Sequence, residues 1–333
     1  MTMTTRDTTM QRVRVGVIGL GEIGRAHCDA VRSLPQAELV AVADVDEELA
    51  RRVAAKTGAT GHTDHRQLLA QPGLDAVIVA TPDQLHRAVV VDAAAAGVHI
   101  LVEKPIATTL ADAEMMSAAC DTAGVLLMVG FTLRFFPQYE LARDAVNRGE
   151  LGRAVSAFAR RTNLTTQSAR LGGRTGVLFF LAIHDFDVLC WILGSAPTRI
   201  YCAQSTSVPG PHPVEDETFT TIGFADGAIA CVHAGWRLPV SHPAGFDFRL
   251  DLTGSEGVLN LGMEHQGVTV IGAAGTRYPA FVDALVREDR AFVDAVRTGG
   301  PSPVPAADGI TALRMVLAAE ESLRTGLSVT LDA

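Results

Sequence analysis

Three glycines near the N-terminus have the spacing of a phosphate-binding turn. Gly19, Gly21 and Gly24, together with Glu22 and Ile23, form a G-x-G-x-x-G motif. The first glycine of such a motif permits a tight turn, the second lets the backbone approach a pyrophosphate, and the third allows a helix to pack closely on a strand. The motif follows an apolar, strand-like run and opens a helical pattern, which is the context in which it binds a dinucleotide. We therefore predict that these five residues contact a dinucleotide, with its phosphates at the N–H groups of the helix start.

An acidic residue follows the motif at the distance expected of a ribose ligand. Asp44 lies 20 residues after Gly24, at the end of the second strand-like run. A carboxylate there accepts hydrogen bonds from the adenosine ribose hydroxyls and repels a 2′-phosphate. No arginine follows Asp44 immediately, and Arg51 and Arg52 lie two helical turns away. The sequence therefore predicts NAD rather than NADP; the alternative is a glycine turn followed by an unrelated Asp.

Short strand-like runs alternate with longer helical patterns over residues 12–130. This alternation predicts β-α-β units and a doubly wound parallel sheet. Ligands of such sheets bind beyond the carboxyl ends of the strands, where the glycine motif and Asp44 lie. The predicted strands are 13–19, 38–43, 76–80, 98–102 and 125–129, and the predicted helices are 23–34, 47–57, 83–96 and 110–123.

The pattern changes after residue 130. Runs of strands interrupted by few helices predict an antiparallel or mixed sheet with helices on one face, and hence a second domain over residues 131–333. The polar residues 1–11 are predicted to be a disordered extension, and the polar residues 160–170 a loop that could close over a ligand. The predicted strands are 154–161, 199–205, 218–224, 228–234, 246–252 and 268–271, and the predicted helices are 138–148, 176–193, 289–297 and 308–324.

The composition excludes several classes of protein. The chain has 333 residues, 28 Lys+Arg against 37 Asp+Glu, and a net charge of -9, which is unfavourable for a nucleic-acid backbone binder. Its five cysteines form no C-x-x-C pair, which argues against a zinc ribbon or a disulfide framework and favours a cytoplasmic location. No apolar run is long enough to cross a membrane. His62 and His65 have the spacing of metal ligands but lack a third ligand nearby, so we interpret Thr63 or Asp64 as a helix cap and predict no metal site.

Five short motifs follow one another along the chain. They are the glycine turn ending in His27, Ala80-Thr81-Pro82-Asp83-Gln84-Leu85-His86, Val102-Glu103-Lys104-Pro105, Gly130-Phe131-Thr132-Leu133-Arg134-Phe135 and Ile183-His184-Asp185-Phe186-Asp187. In this order and spacing they resemble the motifs of the glucose–fructose oxidoreductase / inositol dehydrogenase / MocA (Gfo/Idh/MocA) family, and the resemblance extends from Val13 to Leu331. It implies a Rossmann domain followed by an α/β domain with an open, mostly antiparallel sheet, through which dimers or tetramers form. It also implies NAD(P)-linked oxidation or reduction of sugars, polyols or related alcohols.

The resemblance assigns roles to residues of these motifs. It implies that Glu103 and Lys104 lie beside the nicotinamide, with a cis peptide bond before Pro105, and that Lys104 touches the reacting hydroxyl while His184 exchanges its proton. An imidazole titrates near neutral pH and suits that exchange, and an ammonium stabilises the developing alkoxide. From the residues alone, the Glu–Lys pair is more typical of a solvated loop, and His184 is as typical of a hydrogen-bonded core histidine as of a catalytic one. The residues implied to line the cofactor groove are Thr81, Pro82 and His86.

The chain departs from the family pattern at apolar positions. Phe180 stands four residues before His184, where many relatives have an Asp that binds substrate. Such a pocket would bind a bare polyol poorly, so we doubt myo-inositol as substrate and favour a sugar or alcohol with an apolar portion. Simple core filling is the alternative. Phe136, Phe246 and Phe248 likewise replace polar residues of inositol dehydrogenases.

Two charged residues near these motifs have open roles. Arg134 is predicted to contact substrate or nicotinamide, an ion pair being the alternative. Asp187 lies three residues after His184 and could orient it in place of the missing Asp.

The leading hypothesis is an NAD-dependent dehydrogenase of a sugar, cyclic polyol or glycoside-like substrate, with Lys104 and His184 as its acid–base pair. A second hypothesis keeps NAD bound and uses it transiently, for elimination or glycoside cleavage. A third, suggested by Phe180, is an NAD-bound regulator that has lost catalysis. Retention of both Lys104 and His184 argues against the third.

Overall fold

The chain folds into two units, each built on its own sheet. The computed structural model describes residues 12–207, 212–262, 267–271 and 283–331, so the predicted extension 1–11 lies outside the described residues. Unit 1 comprises the chain up to Gly130 together with Leu285–Ala306, and unit 2 comprises Phe131–Ala284 and Ala307–Ala333. Among the described residues, no helix is both long and apolar enough to cross a membrane.

The sheet of unit 1 has six parallel strands in the order β3-β2-β1-β4-β5-β6, as the β-α-β pattern predicts. β1 and β4 are apolar and almost wholly buried because helices cover both faces of a parallel sheet. The strand order reverses between β1 and β4, and ligands of open α/β sheets bind at such a switch point. The strands are β1 (Val13–Ile18), β2 (Ala37–Ala43), β3 (Thr60–His62), β4 (Ala76–Val79), β5 (His99–Glu103) and β6 (Leu127–Gly130).

The helices of the first 130 residues match the predicted ones closely, with one short addition. Asp64 accepts a hydrogen bond from the Arg66 N–H and caps α3, which confirms its interpretation as a helix cap. A 3-10 turn, Asp83–Leu85, precedes α4. The helices are α1 (Glu22–Ser33), α2 (Glu47–Thr57), α3 (His65–Leu69), α4 (His86–Ala95) and α5 (Leu110–Ala123).

A segment from near the C-terminus returns to unit 1. Leu285–Ala306 belongs to this unit, whereas the sequence pattern assigned all residues after 130 to the second domain. The Val129 N–H donates to the Val304 carbonyl at 3.0 Å, which fastens the segment to β6. Within the segment, Phe292 and Val293 are fully buried. Burial of this apolar face is the physical reason for the return, and an amphipathic pattern alone does not show which sheet will cover it.

Unit 2 contains an eight-stranded sheet in the order β13-β12-β11-β7-β10-β9-β8-β14. Among the described strands of this sheet, only β7 and β10 pair in parallel, so the predicted mostly antiparallel sheet is confirmed. The turn that joins β9 and β10 contains Gly227, which has a positive φ of 90°. The strands are β7 (Ala154–Leu164), β8 (Pro197–Gln204), β9 (Glu217–Phe224), β10 (Ile229–Leu238), β11 (Phe246–Gly254), β12 (Val258–Gly262), β13 (Gly267–Ile271) and β14 (Val329–Thr330).

Two predictions for unit 2 need correction. The supposed polar loop 160–170 consists of the end of β7 and a short helix, because sheet pairing satisfies the backbone of its first half. The helix predicted over 176–193 is divided into a π-helical turn, Leu178–Ala182, and a following α-helix. The helices after residue 130 are α6 (Pro137–Asn147), α7 (Thr166–Leu171), α8 (Ile183–Leu193), α9 (Ala284–Thr298, in unit 1 from Leu285) and α10 (Ala306–Thr325, in unit 2 from Ala307).

Candidate active site

The three glycines of the motif have different steric surroundings in unit 1. Gly19 has a φ of +90°, and a Cβ there would lie 2.5 Å from the Ala80 carbonyl oxygen. A Cβ on Gly24 would lie 1.9 Å from the Gly19 carbonyl oxygen, so both positions are closed to larger residues. A Cβ on Gly21 would meet no described atom within 4 Å. Gly21 therefore borders open space, as expected of the position where a pyrophosphate approaches the backbone.

The start of α1 offers donors to that space. Gly21 is its N-cap residue, and among the described residues no side chain caps this end of the helix. The first N–H groups of a helix lack intrahelical partners and attract anions. The Thr81 hydroxyl oxygen, beyond the neighbouring β4, is buried and has no hydrogen-bond partner among the described residues. The glycine turn, the helix start and this hydroxyl fit a bound dinucleotide.

Asp44, at the carboxyl end of β2, also holds the glycine turn in place. Its Oδ2 accepts a hydrogen bond from the Leu20 N–H at 2.7 Å, and its Oδ1 accepts one from the Asp46 N–H at 3.0 Å. Each carboxylate oxygen has a second lone pair for a ribose hydroxyl. The sequence indicated only the ribose contact, because the link to Leu20 depends on the close approach of two loops.

His86 joins two loops at the carboxyl edge of the sheet. It is 1% exposed, and its ring nitrogens lie 3.0 Å from the Pro105 carbonyl oxygen and 2.9 Å from the Thr81 carbonyl oxygen. These contacts position the Thr81-Pro82 loop against the Lys104-Pro105 loop. A direct contact between His86 and the cofactor stays a prediction.

Lys104 directly follows β5, and its backbone is fixed by its neighbour. The Lys104–Pro105 bond is cis, which confirms the conformation implied by the family motif. The Lys104 N–H donates to Glu103 Oε2 at 3.1 Å, and Glu103 Oε1 lies 3.1 Å from His27 Nε2. Because Glu103 is only 7% exposed, the alternative of a solvated Glu–Lys loop is wrong for its side chain.

His184 lies in the first turn of α8 in unit 2, directly after the π-helical turn. Its side chain is half-buried, with the Phe131 ring edge-on at 6.4 Å between ring centroids. Glu215 holds the start of this helical segment, because its Oε1 accepts the Leu178 N–H at 3.0 Å and its carbonyl oxygen accepts the Val177 N–H. Single-turn π segments are frequent at functional sites. The sequence indicated the helix but not the π turn.

The phenylalanines that depart from the family pattern are all partly exposed. Phe180 packs edge-on against the buried Trp236 at 5.8 Å between centroids, and Phe246 stacks on Phe248 at 6.1 Å. Phe136, Phe180 and Phe248 are half-buried and Phe246 is 45% exposed. Partial exposure argues against the core-filling alternative, because core residues lose nearly all their accessible surface.

Arg134 is buried in unit 2 within a network of ion pairs. Its guanidinium donates to both carboxylate oxygens of Asp187 and, at 2.8 Å, to Asp308 on α10. Burial raises the pKa of Asp187 to about 6 despite the attraction of Arg134. Both oxygens of Asp187 thus accept hydrogen bonds from Arg134, which disfavours the hypothesis that Asp187 orients His184. The geometry favours the ion-pair interpretation of Arg134; its contact with substrate stays a prediction.

The fold and the glycine turn define unit 1 as the NAD-binding domain of an oxidoreductase. Residues 13–131 match the model of the oxidoreductase family with an NAD-binding Rossmann fold, and residues 139–260 match that of the GFO/IDH/MocA C-terminal domain. The chain belongs to the Gfo/Idh/MocA family, as its motifs suggest.

Named relatives match over nearly their whole lengths. The chain is 31% identical to the scyllo-inositol 2-dehydrogenase (NAD(+)) of Bacillus subtilis, over 96% of this chain and 97% of that one. It is 29% identical to the myo-inositol 2-dehydrogenase of Thermotoga maritima, over 96% and 99% of the two chains. A structure of levoglucosan dehydrogenase with NADH and levoglucosan is similar with a TM-score of 0.88 and 26% identity, over 97% and 100% of the two chains.

Proposed function

We propose that this protein is an NAD-dependent dehydrogenase that oxidises a secondary alcohol of a sugar, cyclic polyol or glycoside-like substrate. The observation that carries this proposal is the arrangement at the carboxyl edge of the unit 1 sheet. There the glycine turn, the carboxylate of Asp44 and the backbone of Lys104 follow β1, β2 and β5. Membership in a family whose named relatives include inositol and levoglucosan dehydrogenases supports the substrate class.

In the proposed reaction, side chains of the protein stabilise the substrate oxygen and accept the hydroxyl proton. NAD, when bound, accepts the hydride released from the carbinol carbon. The Lys104 ammonium stabilises the negative charge that develops on the substrate oxygen. His184 accepts the hydroxyl proton as general base and returns it when the reaction runs in the other direction. Glu103, Thr81 and Pro82 support the cofactor beside Lys104.

A substrate screen tests the proposal. Sugars, polyols and glycosides are incubated with NAD or NADP, and formation of reduced nicotinamide is followed by absorbance. We expect net NADH from at least one substrate and a weaker response with NADP, because Asp44 repels a 2′-phosphate. Product formed without net NADH would indicate transient use of NAD instead. Tight NAD binding without turnover of any substrate would indicate a regulator.

We further propose that the substrate carries an apolar portion that contacts Phe180. Exchanging Phe180 for Asp introduces the carboxylate that many relatives have at this position. We expect Phe180→Asp to raise kcat/KM for myo-inositol at least tenfold and to lower it for apolar glycosides by a similar factor. Phe180→Leu, which keeps an apolar side chain, is the matched control and should favour the glycosides still. Brisk oxidation of myo-inositol by the unchanged protein would contradict this proposal.

We propose that the protein forms a dimer or tetramer through the exposed face of the unit 2 sheet. The supporting observation is a row of exposed apolar side chains on adjacent strands. Tyr201, Phe219 and Ile229 are 45%, 49% and 54% exposed. Phe219→Glu should shift the mass measured by light scattering to that of a monomer, because it buries a charge in the interface. Met115→Glu, at a 49% exposed residue on α5 of unit 1, should leave the mass unchanged. A monomeric starting protein would overturn the proposal.

A cytoplasmic location completes the proposed function. All five cysteines are unpaired thiols, as expected of a protein in a reducing compartment. Burial raises the pKa values of Cys28, Cys120 and Cys190 to about 12, so these thiols stay protonated and unreactive.

A further inference from the structure

A buried histidine that the proposed reaction does not use lies in unit 1, between two carboxylates. His27 on α1 and Asp289 on α9 are 0% exposed, and Glu103 at the end of β5 is 7% exposed. Nδ1 of His27 lies 2.8 Å from Asp289 Oδ1, and its Nε2 lies 3.1 Å from Glu103 Oε1. Both ring nitrogens therefore face acceptors, and an ionised carboxylate can only accept. An imidazole donates from both nitrogens only when it is protonated.

The charges around His27 support the imidazolium form. Glu103 faces it from β5, and Asp289 and Glu288 face it from α9. A carboxylate oxygen of Glu288 lies within 4.8 Å of a ring nitrogen of His27 and of a carboxylate oxygen of Asp289. Burial acts to lower the pKa of His27, but the charges and hydrogen bonds of Asp289 and Glu103 outweigh it and raise the pKa well above 6.5.

The second carboxylate oxygen of Glu103 contacts the backbone of Lys104. Burial acts to raise the pKa of Glu103, but the hydrogen bond and charge of His27 and the charge of Lys104 lower it below its usual value. Glu103 Oε2 accepts the Lys104 N–H at 3.1 Å. A Cβ on Gly130 would lie 3.2 Å from Glu103 Oε1, so the glycine of the neighbouring strand leaves the space that the carboxylate occupies.

We propose that His27 is a buried permanent cation that, together with Asp289, acts as a positioning residue for Lys104. A chain of hydrogen bonds connects Asp289 to the imidazolium and the imidazolium to Oε1 of Glu103. Oε2 of Glu103 then accepts the Lys104 N–H. This inference rests on the proposed role of Lys104, but the charge state of His27 can be measured independently of any activity.

Loss of the proton on His27 would break this link. A neutral imidazole has one N–H, so one of its two carboxylate partners loses its donor. When that partner is Glu103, a buried carboxylate is left with one fewer hydrogen bond and is no longer held in its present orientation. Its second oxygen can then turn away from the Lys104 N–H. The backbone at Lys104 would then lose its anchor, and the ammonium would move away from the reacting oxygen.

The charge state is tested by NMR of the full-length protein labelled with 13C at histidine Cε1. The signal that is missing in His27→Gln identifies His27. We expect this signal to stay at the imidazolium shift from pH 6 to pH 9, whereas the unperturbed imidazole of a model peptide titrates near 6.5. In Asp289→Asn the signal should titrate inside that window, because one of the two carboxylates hydrogen-bonded to the imidazolium is gone. A His27 signal that titrates near 6.5 in the unchanged protein would overturn the proposal.

Kinetics test the positioning role with the same variants. We expect His27→Gln to lower kcat at least 30-fold at every pH while the Kd for NAD changes less than threefold. In Asp289→Asn, kcat should fall about tenfold as the pH rises through the new His27 titration, whereas at pH 6 it should be close to that of the unchanged protein. A purely structural residue would lower the yield of folded protein without adding an ionisation to kcat.

Stability gives a third readout and the control. A histidine whose folded-state pKa lies above its unfolded value stabilises the fold fully below about 6.5 and ceases to do so as the pH rises through the folded-state pKa. As the pH rises, the urea concentration at the unfolding midpoint should therefore begin to decrease at a lower pH in Asp289→Asn than in the unchanged protein. Asp294→Asn removes an exposed carboxylate from the same helix, bonded to Arg297 at 3.1 Å, and should change neither readout. An imidazolium signal with unaltered kcat in His27→Gln would refute the positioning role alone, whereas absence of all activity with that signal present would refute only the proposed function.

Discussion

Lys104→Met should lower kcat by about 10³-fold and leave the Kd for NAD within threefold of its original value. Methionine keeps the apolar stem and most of the length of the side chain and removes its charge. In the proposed reaction the ammonium acts on charge that develops on the substrate oxygen, so its loss affects the transition state more than the bound ground state. Removal of one such group from a preorganised site typically costs about 10²–10³ in kcat. Steady-state kinetics and NAD titration by fluorescence measure the two quantities.

The composition of the chain provides the control. Lysine occurs at only two positions, Lys56 and Lys104. Lys56 lies on α2 with its side chain 67% exposed and 3.3 Å from Asp29, so Lys56→Met removes the same charge far from the proposed chemistry. We expect it to keep full activity. Added primary alkylamines should restore part of the activity of Lys104→Ala but have no effect on Lys104→Met, whose side chain occupies the space. Unchanged kcat in Lys104→Met would exclude Lys104 from catalysis.

His184→Gln should lower kcat by about 10²–10⁴-fold, the usual contribution of a positioned acid–base group. Glutamine has similar bulk and can donate a hydrogen bond, but it does not take up the hydroxyl proton. NAD affinity should be unchanged, because the cofactor contacts proposed above come from unit 1. The limb of the pH profile of kcat/KM that reflects ionisation of the catalytic base should disappear. A deuterium label on the carbinol carbon should still slow the reaction, since hydride transfer remains part of the limiting step.

His65→Gln is the matched control for this prediction. His65 lies on α3 in unit 1, where its Nε2 is 2.8 Å from Asp92, and it has no part in the proposed reaction. Its loss should leave kcat and the pH profile unaltered. If His184→Gln retained both the rate and the pH profile, the base would have to be sought elsewhere and the interpretation of His184 as a structural histidine would stand.

Local patterns predicted most of the architecture because apolar residues recur with one spacing in helices and with another in strands. The alternation of short apolar runs with amphipathic helices predicted the parallel sheet of unit 1, and its helices over 47–57 and 110–123 match the observed bounds. The short elements β3, α3, α7, β12 and β14 were missed, because two to six residues carry too little periodic signal. The π turn before His184 was missed because its residues are all apolar and equally compatible with an ordinary helix.

The candidate site divides in the same way. Gly19, Gly21, Gly24 and Asp44 were found by spacing alone, since a phosphate turn and its ribose ligand lie within one β-α-β unit. The motif around Lys104 was recognisable only by its resemblance to a family. Neither residue spacing nor the family resemblance predicted that Glu103 faces a buried histidine rather than solvent.

The sequence by itself determined the two sheets, the dinucleotide turn and the choice of coenzyme, because each depends on residues near one another in the chain. Only the tertiary structure decided which charges meet. His27 and Asp289 are 262 residues apart, and Arg134 and Asp308 are 174 apart. A charged side chain accepts any opposite charge, so its sequence context does not specify a partner. The partner is settled when apolar faces pack and bring distant helices together, and burial then makes each pairing obligatory.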